Sequence, residues 1–172
     1  MKQNKRIAAL ALCVALLLAV AGCAFAEAGA TRSFQLGTSG YSIEIPDSFT
    51  EGELTREDIA DDMVAYMLSP DTLLDFDVYQ FGKEDVPEKL ADYVEYEAEE
   101  YEAFEIVTDG EINGIAAGWY LASELYAGED YITATYILED GDEYVEVVFW
   151  LDGEEAVDQA QAIIDTLKYE AK

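Results

Sequence analysis

Carboxylates are the side chains that could do acid–base chemistry in this chain, which has 38 acidic residues. Glu97 falls in the middle of an apolar stripe with helical spacing. Burial there would raise the pKa of its carboxyl and suit it to proton transfer. The alternative, which we favour, is a position at the edge of the stripe. There the stem of Glu97 packs while its carboxyl reaches water or a tyrosine hydroxyl.

Two further groups of acids could hold a cation. Asp75 and Asp77 lie on one face of a predicted strand, and residues 140–143 read Asp-Gly-Asp-Glu. Oxygen-rich clusters of this kind bind calcium. The EF-hand pattern is absent, however, and Asp-Gly is common in hairpin turns. The sequence therefore predicts no metal ligand, and a calcium site stays an alternative.

Aromatic residues of the second half could line a groove for a carbohydrate or a peptide. The candidates are Trp119, Tyr120, Tyr126, Tyr131, Tyr136 and Trp150. Aromatic side chains on strands more often pack in a core or against a neighbouring strand. We favour that interpretation, so the ligand-binding residues remain unknown at this stage.

Histidine is absent from the sequence, and the two cysteines, Cys13 and Cys23, lie near its start. Ser-His-Asp and Cys-His catalysis and the usual zinc sites are thereby excluded, as is a disulfide within one mature chain. A glycosidase would need two acids flanking a cleft, and no spacing singles out such a pair. We expect no enzyme activity, no catalytic residue and no cofactor.

The first 26 residues have the pattern of a bacterial signal peptide. Three cations, Lys2, Lys5 and Arg6, precede an apolar run over 7–21 that ends in small residues. The run is shorter than the roughly 20 residues of a membrane-spanning helix. The sequence therefore predicts a signal peptide over 1–26 and an extracytoplasmic protein.

Two cleavage patterns overlap at the end of this segment. Residues 20–23 read Val-Ala-Gly-Cys and resemble a lipobox, in which Cys23 is lipidated and becomes the N-terminus. Residues 24–26 read Ala-Phe-Ala, which suits ordinary signal peptidase and would release a chain starting at Glu27. The protein is expected to be either a lipoprotein anchored through Cys23 or freely secreted.

Charge restricts the partners. The net charge is −29, and it becomes −32 without the signal, which contains three of the nine cations and none of the acids. Such a surface repels nucleic acids and anionic membranes. We expect an envelope or extracellular protein as partner, no nucleic acid, and membrane contact only through a lipid on Cys23.

Local patterns predict a linker over 27–32 and one domain over 33–169. Strands are predicted at 41–45, 63–68, 73–81, 105–109, 117–125, 131–138 and 143–151, while 50–62 reads as irregular. Asp109-Gly110, Asn113-Gly114 and residues around Gly128 and Gly141 are predicted turns. In the last strand both faces carry apolar residues, which indicates cover on both sides of the sheet.

Two helices are expected. The first spans about 86–104, with Asp85 as its cap and Pro87 in its first turn. The second starts near Glu154 with Asp152 as its cap. Its apolar stripe consists of Val157, Ala160, Ile163, Ile164 and Leu167.

Three short segments carry a family resemblance. Residues 41–46 read Tyr-x-Ile-x-Ile-Pro, 109–114 read Asp-Gly-Glu-Ile-Asn-Gly, and 160–167 form the closing helix. In this order they resemble the PsbP-like fold, shared with Mog-type Ran-binding proteins and many bacterial exported lipoproteins. The resemblance implies an α+β fold, an antiparallel β-sheet sandwiched by helices, over most of 33–169. It implies no particular activity, and the His-based metal contacts of photosynthetic members cannot form here.

Three functional hypotheses follow. The first is an exported, non-enzymatic binding or accessory module at the bacterial cell envelope, and an exposed apolar patch would favour it. The alternative is a small-ligand or divalent-cation (calcium) binding protein, favoured by a pocket with converging oxygens. The third, an enzyme using two carboxylates, would need a deep cleft with two facing acids.

Overall fold

A computed structural model describes residues 30–70, 74–126 and 129–171. The predicted signal peptide, Cys23, Glu27 and Gly128 lie outside them. The strands are β1 (Thr31–Gln35), β2 (Tyr41–Pro46), β3 (Thr50–Glu51), β4 (Met63–Leu68), β5 (Leu74–Gly82), β6 (Glu105–Ile112), β7 (Ile115–Tyr126), β8 (Glu129–Asp140), β9 (Glu143–Leu151) and β10 (Lys168–Tyr169). The helices are α1 (Arg56–Ala60), α2 (Leu90–Glu100) and α3 (Glu154–Ile164).

Seven strands form one antiparallel sheet in the order β3-β4-β5-β9-β8-β7-β6, and β1, β2 and β10 form a smaller sheet. Tight turns set the register of the long hairpins. Asn113 and Gly114 join β6 to β7 with φ values of 53° and 77°, the left-handed pair that a type I′ turn requires. Strands predicted at 41–45, 63–68, 117–125, 131–138 and 143–151 are confirmed within a few residues.

The two faces of the large sheet are covered differently. One face packs against α3 and the small sheet, and its core includes Phe76, Phe149 and Ile163, all fully buried. The other face receives α2, whose Tyr93 and Val94 are buried in a second, smaller cluster. The α+β fold with helices on both sides of the sheet is thus as predicted. No helix in the described ranges is long and apolar enough to cross a membrane.

The first predicted helix is wrong at both ends. It begins at Leu90, its cap position is Lys89, and no side chain caps it, so Asp85 does not have the predicted role. Proline disfavours helix in the residue before it, and the carbonyl of Pro87 accepts a 2.8 Å hydrogen bond from the Tyr144 hydroxyl. Helix is thus disfavoured at Val86, and the chain before Pro87 instead forms a turn in which the Val86 N–H donates to the Lys83 carbonyl at 3.5 Å.

The closing helix begins at Glu154 as predicted, but Asp152 is not its cap. Gly153 occupies the cap position with φ 98° and makes no side-chain hydrogen bond. This left-handed backbone favours glycine. The predicted apolar stripe is confirmed: Val157, Ala160, Ile163, Ile164 and Leu167 are all buried, although Leu167 lies beyond the helix.

Three other segments differ from the prediction. Residues 50–62 are not irregular, since they contain β3 and α1. Asp109-Gly110 is not a turn, because β6 continues to Ile112 through a shift of register between Val107 and Gly110. The strand β1 begins at Thr31, inside the predicted linker 27–32. Short strands and a five-residue helix are too brief for periodicity to mark them.

Candidate functional site

A cleft lies on the α2 side of the large sheet, where the helix leaves part of that face uncovered. Its volume is about 450 Å³. Strands β5, β7, β8 and β9 form its floor, α2 and the following turn form one wall, and the α1–β4 connection forms the other. It is lined by Asp61, Asp62, Tyr79, Phe81, Glu97, Tyr101, Tyr120, Glu124, Thr135, Glu146, Val148 and Trp150.

Strand alternation places these side chains. On β5, Asp77 and Tyr79 pair with Val148 and Glu146 of β9. Successive residues of a strand point to opposite faces, so Phe76, next to Asp77, enters the main core instead. A single hydrophobic core on the α3 side thus fixes which side chains face the cleft.

Glu146 is the most deeply buried carboxylate of the cleft, with 7% of its surface exposed. It accepts a 2.5 Å hydrogen bond from the hydroxyl of Tyr93 on α2. Burial raises its pKa to about 7, the bond from Tyr93 opposes that rise, and nearby Glu97 adds to it. Glu146 therefore changes charge near neutral pH.

Asp77 is the second buried carboxylate on this face, with 5% exposure. The indole Nε1 of Trp150 donates a 2.8 Å hydrogen bond to its Oδ2. Burial raises the pKa of Asp77 to about 6 despite that bond. Asp75 is only half-buried and accepts from the backbone N–H of Ser69 at 2.9 Å. The two candidate calcium ligands, Asp75 and Asp77, therefore accept hydrogen bonds from different segments of the chain, at Ser69 and at Trp150.

Glu97 and Glu124 lie at the sides of the cleft. Burial raises the pKa of Glu97, and its contact with the Tyr93 hydroxyl opposes the rise. Its carboxyl thus reaches a tyrosine hydroxyl, as the favoured interpretation expected, while burial raises its pKa, as the proton-transfer interpretation expected. Glu124 accepts from the hydroxyl of Thr133 at 3.0 Å, and burial raises its pKa as well.

Neutral aromatic rings complete the lining. Burial raises the pKa of Tyr101 to about 12 and those of Tyr79 and Tyr120 further, so all three phenols are protonated at neutral pH. Tyr101 and Tyr120 stack with ring centroids 6.1 Å apart. The cleft therefore combines carboxylates with uncharged aromatic surface.

The aromatic groove, the less favoured interpretation of these residues, is only partly present. Tyr120 and Trp150 line the cleft, and Tyr131 contacts Trp150 edge-on. Trp119 and Tyr136 pack with the main core on the opposite face, as the packing interpretation expected. The side chain of Tyr126 lies outside the described part of the structure.

The acidic turn at 140–143 connects the two sheets. Asp140 accepts from the backbone N–H of Gly40 at 2.9 Å and from the hydroxyl of Tyr169 at 3.2 Å. Both of its carboxylate oxygens are thereby used in structural hydrogen bonds. Within the described ranges, no three acidic side chains are grouped so as to hold a metal ion.

Sequence reasoning did not single out Glu146. Alternation placed this residue with Tyr144, Val148 and Trp150 on the second face of the last strand, which was also expected to be covered. The available signal was an acid among mostly apolar residues on a strand face that was expected to be covered. The sequence does not show that α2 covers only part of that face, so it could not place Glu146 in a cleft.

No family model and no curated protein matches this sequence. Solved structures do match. Cyanobacterial PsbP (CyanoP) from Synechocystis is 8% identical with a TM-score of 0.56, covering 88% of this chain and 99% of that one. The Ran-binding protein Mog1p of Saccharomyces cerevisiae is 10% identical with a TM-score of 0.53, covering 81% and 95%.

A Bacteroides thetaiotaomicron structure is 16% identical with a TM-score of 0.54. The match covers 80% of this chain but only 50% of that one, so this chain spans half the length of that protein. At these identities the likeness concerns the fold alone. The fold is that of the PsbP-like and Mog-type proteins, in agreement with the resemblance in the sequence.

Proposed function

We propose that this protein is an exported, non-enzymatic binding module of the bacterial cell envelope, and that it binds its ligand in the cleft. The observation that carries the proposal is the composition of the cleft, in which a buried carboxylate, Glu146, lies among aromatic rings on a rigid sheet. Ligand sites are typically concave and apolar with a few placed polar groups. The converging oxygens favour the alternative of the sequence analysis, a small-ligand or divalent-cation binding protein, and the aromatic lining favours its small-ligand form.

Hydrogen bonds hold the buried carboxylates of this sheet face in place. Glu146 accepts from Tyr93, and Asp77 accepts from Trp150. A carboxylate held in this way is preorganised to recognise a ligand. The name of Mog1p describes a binding role for a protein of the same fold.

The envelope location rests on the N-terminal pattern. Lys2, Lys5 and Arg6 before the apolar run support export, and Cys23 after it supports a lipid anchor. Two acyl chains are needed for stable membrane attachment, and a diacylglyceryl cysteine supplies them. Mass spectrometry of the native N-terminus tests this part, because a chain that starts at an unmodified Glu27 excludes the anchor.

The binding site is tested by filling the cleft. Val148 is half-buried and lines it, so Val148→Phe should reduce the space without removing a charge. The matched control is Ile106→Phe. Ile106 is a strand residue that is 45% exposed and does not line the cleft. The mature protein and both variants are incubated with envelope extract, and the compounds that co-purify are identified by mass spectrometry.

We expect the wild type and Ile106→Phe to retain the same compound or protein and Val148→Phe to lose it. If Val148→Phe retains everything that the wild type retains, and its melting curve is unchanged, the cleft is not the binding site. Recovery of a chemically converted compound would instead indicate an enzyme.

A further inference from the structure

We propose that the ligand of this cleft is an organic cation, an ammonium group attached to an apolar body. This inference rests on the binding site proposed above and adds the chemical class of its occupant. A free amine and a lysine side chain of a peptide share this chemistry.

Charge is the first argument. Five of the twelve lining residues are acidic and none is Lys or Arg: the acids are Asp61, Asp62, Glu97, Glu124 and Glu146. Among the described residues, the ion pairs involve Lys83, Lys89 and Lys168, and none includes a carboxylate of the cleft. A buried carboxylate without a counter-ion is unfavourable, and a bound cation would remove that cost.

The nature of the walls distinguishes an organic cation from a metal ion. Calcium takes six to eight oxygen ligands, and no three acids of the described chain are grouped to supply them. Rings of Tyr79, Tyr101, Tyr120 and Trp150 line the cleft instead. The faces of such rings attract ammonium groups, most strongly where water is excluded.

Size and depth agree with this class. A volume of about 450 Å³ lies within the range of small-molecule sites, roughly 300–1,000 Å³. The floor is buried at Tyr120, Thr135 and Glu146, whereas Asp61 and Tyr101 are exposed at the rim. An ammonium group can thus reach Glu146 while its apolar body lies against the rings.

Proton release gives this proposal a specific signature. Glu146 is partly protonated near pH 7, and a cation beside it favours the ionised form. The titratable groups that face it are Tyr93 and Glu97 of α2, Tyr79 of β5, Tyr101 after α2 and Tyr120 of β7. The tyrosines stay protonated at that pH, so Glu146 is the main source of the released proton.

The test uses isothermal titration calorimetry of the mature protein with defined probes. Choline and cadaverine represent free amines, and a short peptide with one lysine represents the side-chain source. The neutral isostere of choline, 3,3-dimethylbutan-1-ol, and calcium chloride are the comparison ligands. Titrations at pH 6.5 in two buffers of different ionisation enthalpy measure the protons released.

We expect at least one ammonium probe to bind with proton release and at least tenfold more tightly than the neutral isostere. Glu146→Gln should lower that affinity at least tenfold and abolish the proton release. Tyr101→Leu, at an exposed ring, should lower it several-fold. The control Glu155→Gln removes a charge from an exposed position on α3 and should have no effect.

Several results would overturn the inference. They are equal binding of the neutral isostere, binding of calcium alone, unchanged affinity in Glu146→Gln, or no binding of any ammonium probe. If the amines fail while Val148→Phe still abolishes retention from the envelope extract, the binding site survives and its occupant is of another class. Preference for the peptide over both free amines would identify a protein partner as the source.

Discussion

The two faces of the large sheet are built from the same strands and do different things. On the α3 side, β5 and β9 contribute Phe76 and Phe149 to an apolar core in which both are fully buried. On the α2 side, Asp77 of β5 and Glu146 of β9 are nearly as buried but carry carboxyl groups. One face therefore supplies stability, and the other gives up some stability to keep charge in a cleft.

This division explains why the fold gives no indication of function. The core face requires only alternating apolar residues, which any protein of this fold can supply. The cleft face depends on a few polar residues and on how much of the sheet α2 covers. Function is determined by such sites and not by the fold that carries them.

Replacing a core ring should have the largest effect. Phe76 contacts the rings of Phe34, Phe49 and Phe149, and Phe76→Ala should lower the free energy of unfolding by about 3–5 kcal/mol. The adjacent Asp77→Asn keeps an acceptor for Trp150 and should cost less than about 1 kcal/mol at pH 7. Urea denaturation measures both. Similar losses would mean that the two faces contribute equally to stability.

The pH dependence of stability should identify the cleft face. In the folded protein the pKa of Glu146 rises from 4.5 to about 7, so the folded state binds a proton that the unfolded state has released. The free energy of unfolding must then fall as pH rises from about 4.5 to 7, by roughly 3 kcal/mol from this group. Asp77, raised to about 6, adds a similar fall at lower pH.

Glu146→Gln isolates this contribution from that of the other acids. We expect the difference between the denaturation midpoints of the variant and the wild type to grow from pH 4 to pH 8. The variant becomes more stable relative to the wild type as pH rises, because it lacks the carboxyl that ionises. Glu155→Gln on the opposite side of the sheet should run parallel to the wild type. A Glu146→Gln curve that also runs parallel to the wild type would show that folding does not shift the pKa of Glu146.

A smaller effect is expected from the hydroxyl that holds Glu146. Tyr93→Phe removes the 2.5 Å hydrogen bond while it keeps the ring stacked on Tyr144, 4.4 Å between centroids. The loss should be about 2 kcal/mol at pH 8, where the acceptor is charged, and about 1 kcal/mol at pH 5. Equal losses at both pH values would indicate that the bond does not sense the charge of Glu146.

The sequence predicted the core face well and the cleft poorly, for a physical reason. Burial of Val157, Ala160 and Ile163 follows from helical spacing alone, and the strand at 143–151 follows from alternation. These patterns are local. They suffice for the fold class because each apolar stripe must be buried against another element.

The cleft depends on relations that the sequence does not display. Thr135 and Tyr120 meet across β8 and β7 only once the register is known. The carbonyl of Pro87 accepts a hydrogen bond from Tyr144 of β9, and α2 starts three residues later at Leu90. Burial of Glu146 follows from that placement. Glu146 differs from the many solvent-exposed acids in its position in the strand register and in the part of the sheet that α2 covers, and not in its residue type.

The last prediction concerns the rim of the cleft, where stability is local. Helix α1 has no buried residue, and a reciprocal pair of hydrogen bonds between Thr55 and Asp58 caps it. This Thr-x-x-Asp pattern lies in the sequence within the segment read as irregular. Thr55→Ala should destabilise the helix by about 1 kcal/mol. Because α1 is not part of either core, that loss should appear as local opening and not as global unfolding. Native-state hydrogen exchange measures both: amides of 59–62 should exchange about five times faster, while those of β5 keep the wild-type rate. If β5 is accelerated to the same extent, α1 unfolds together with the core, and the rim is not an independent unit of the cleft face.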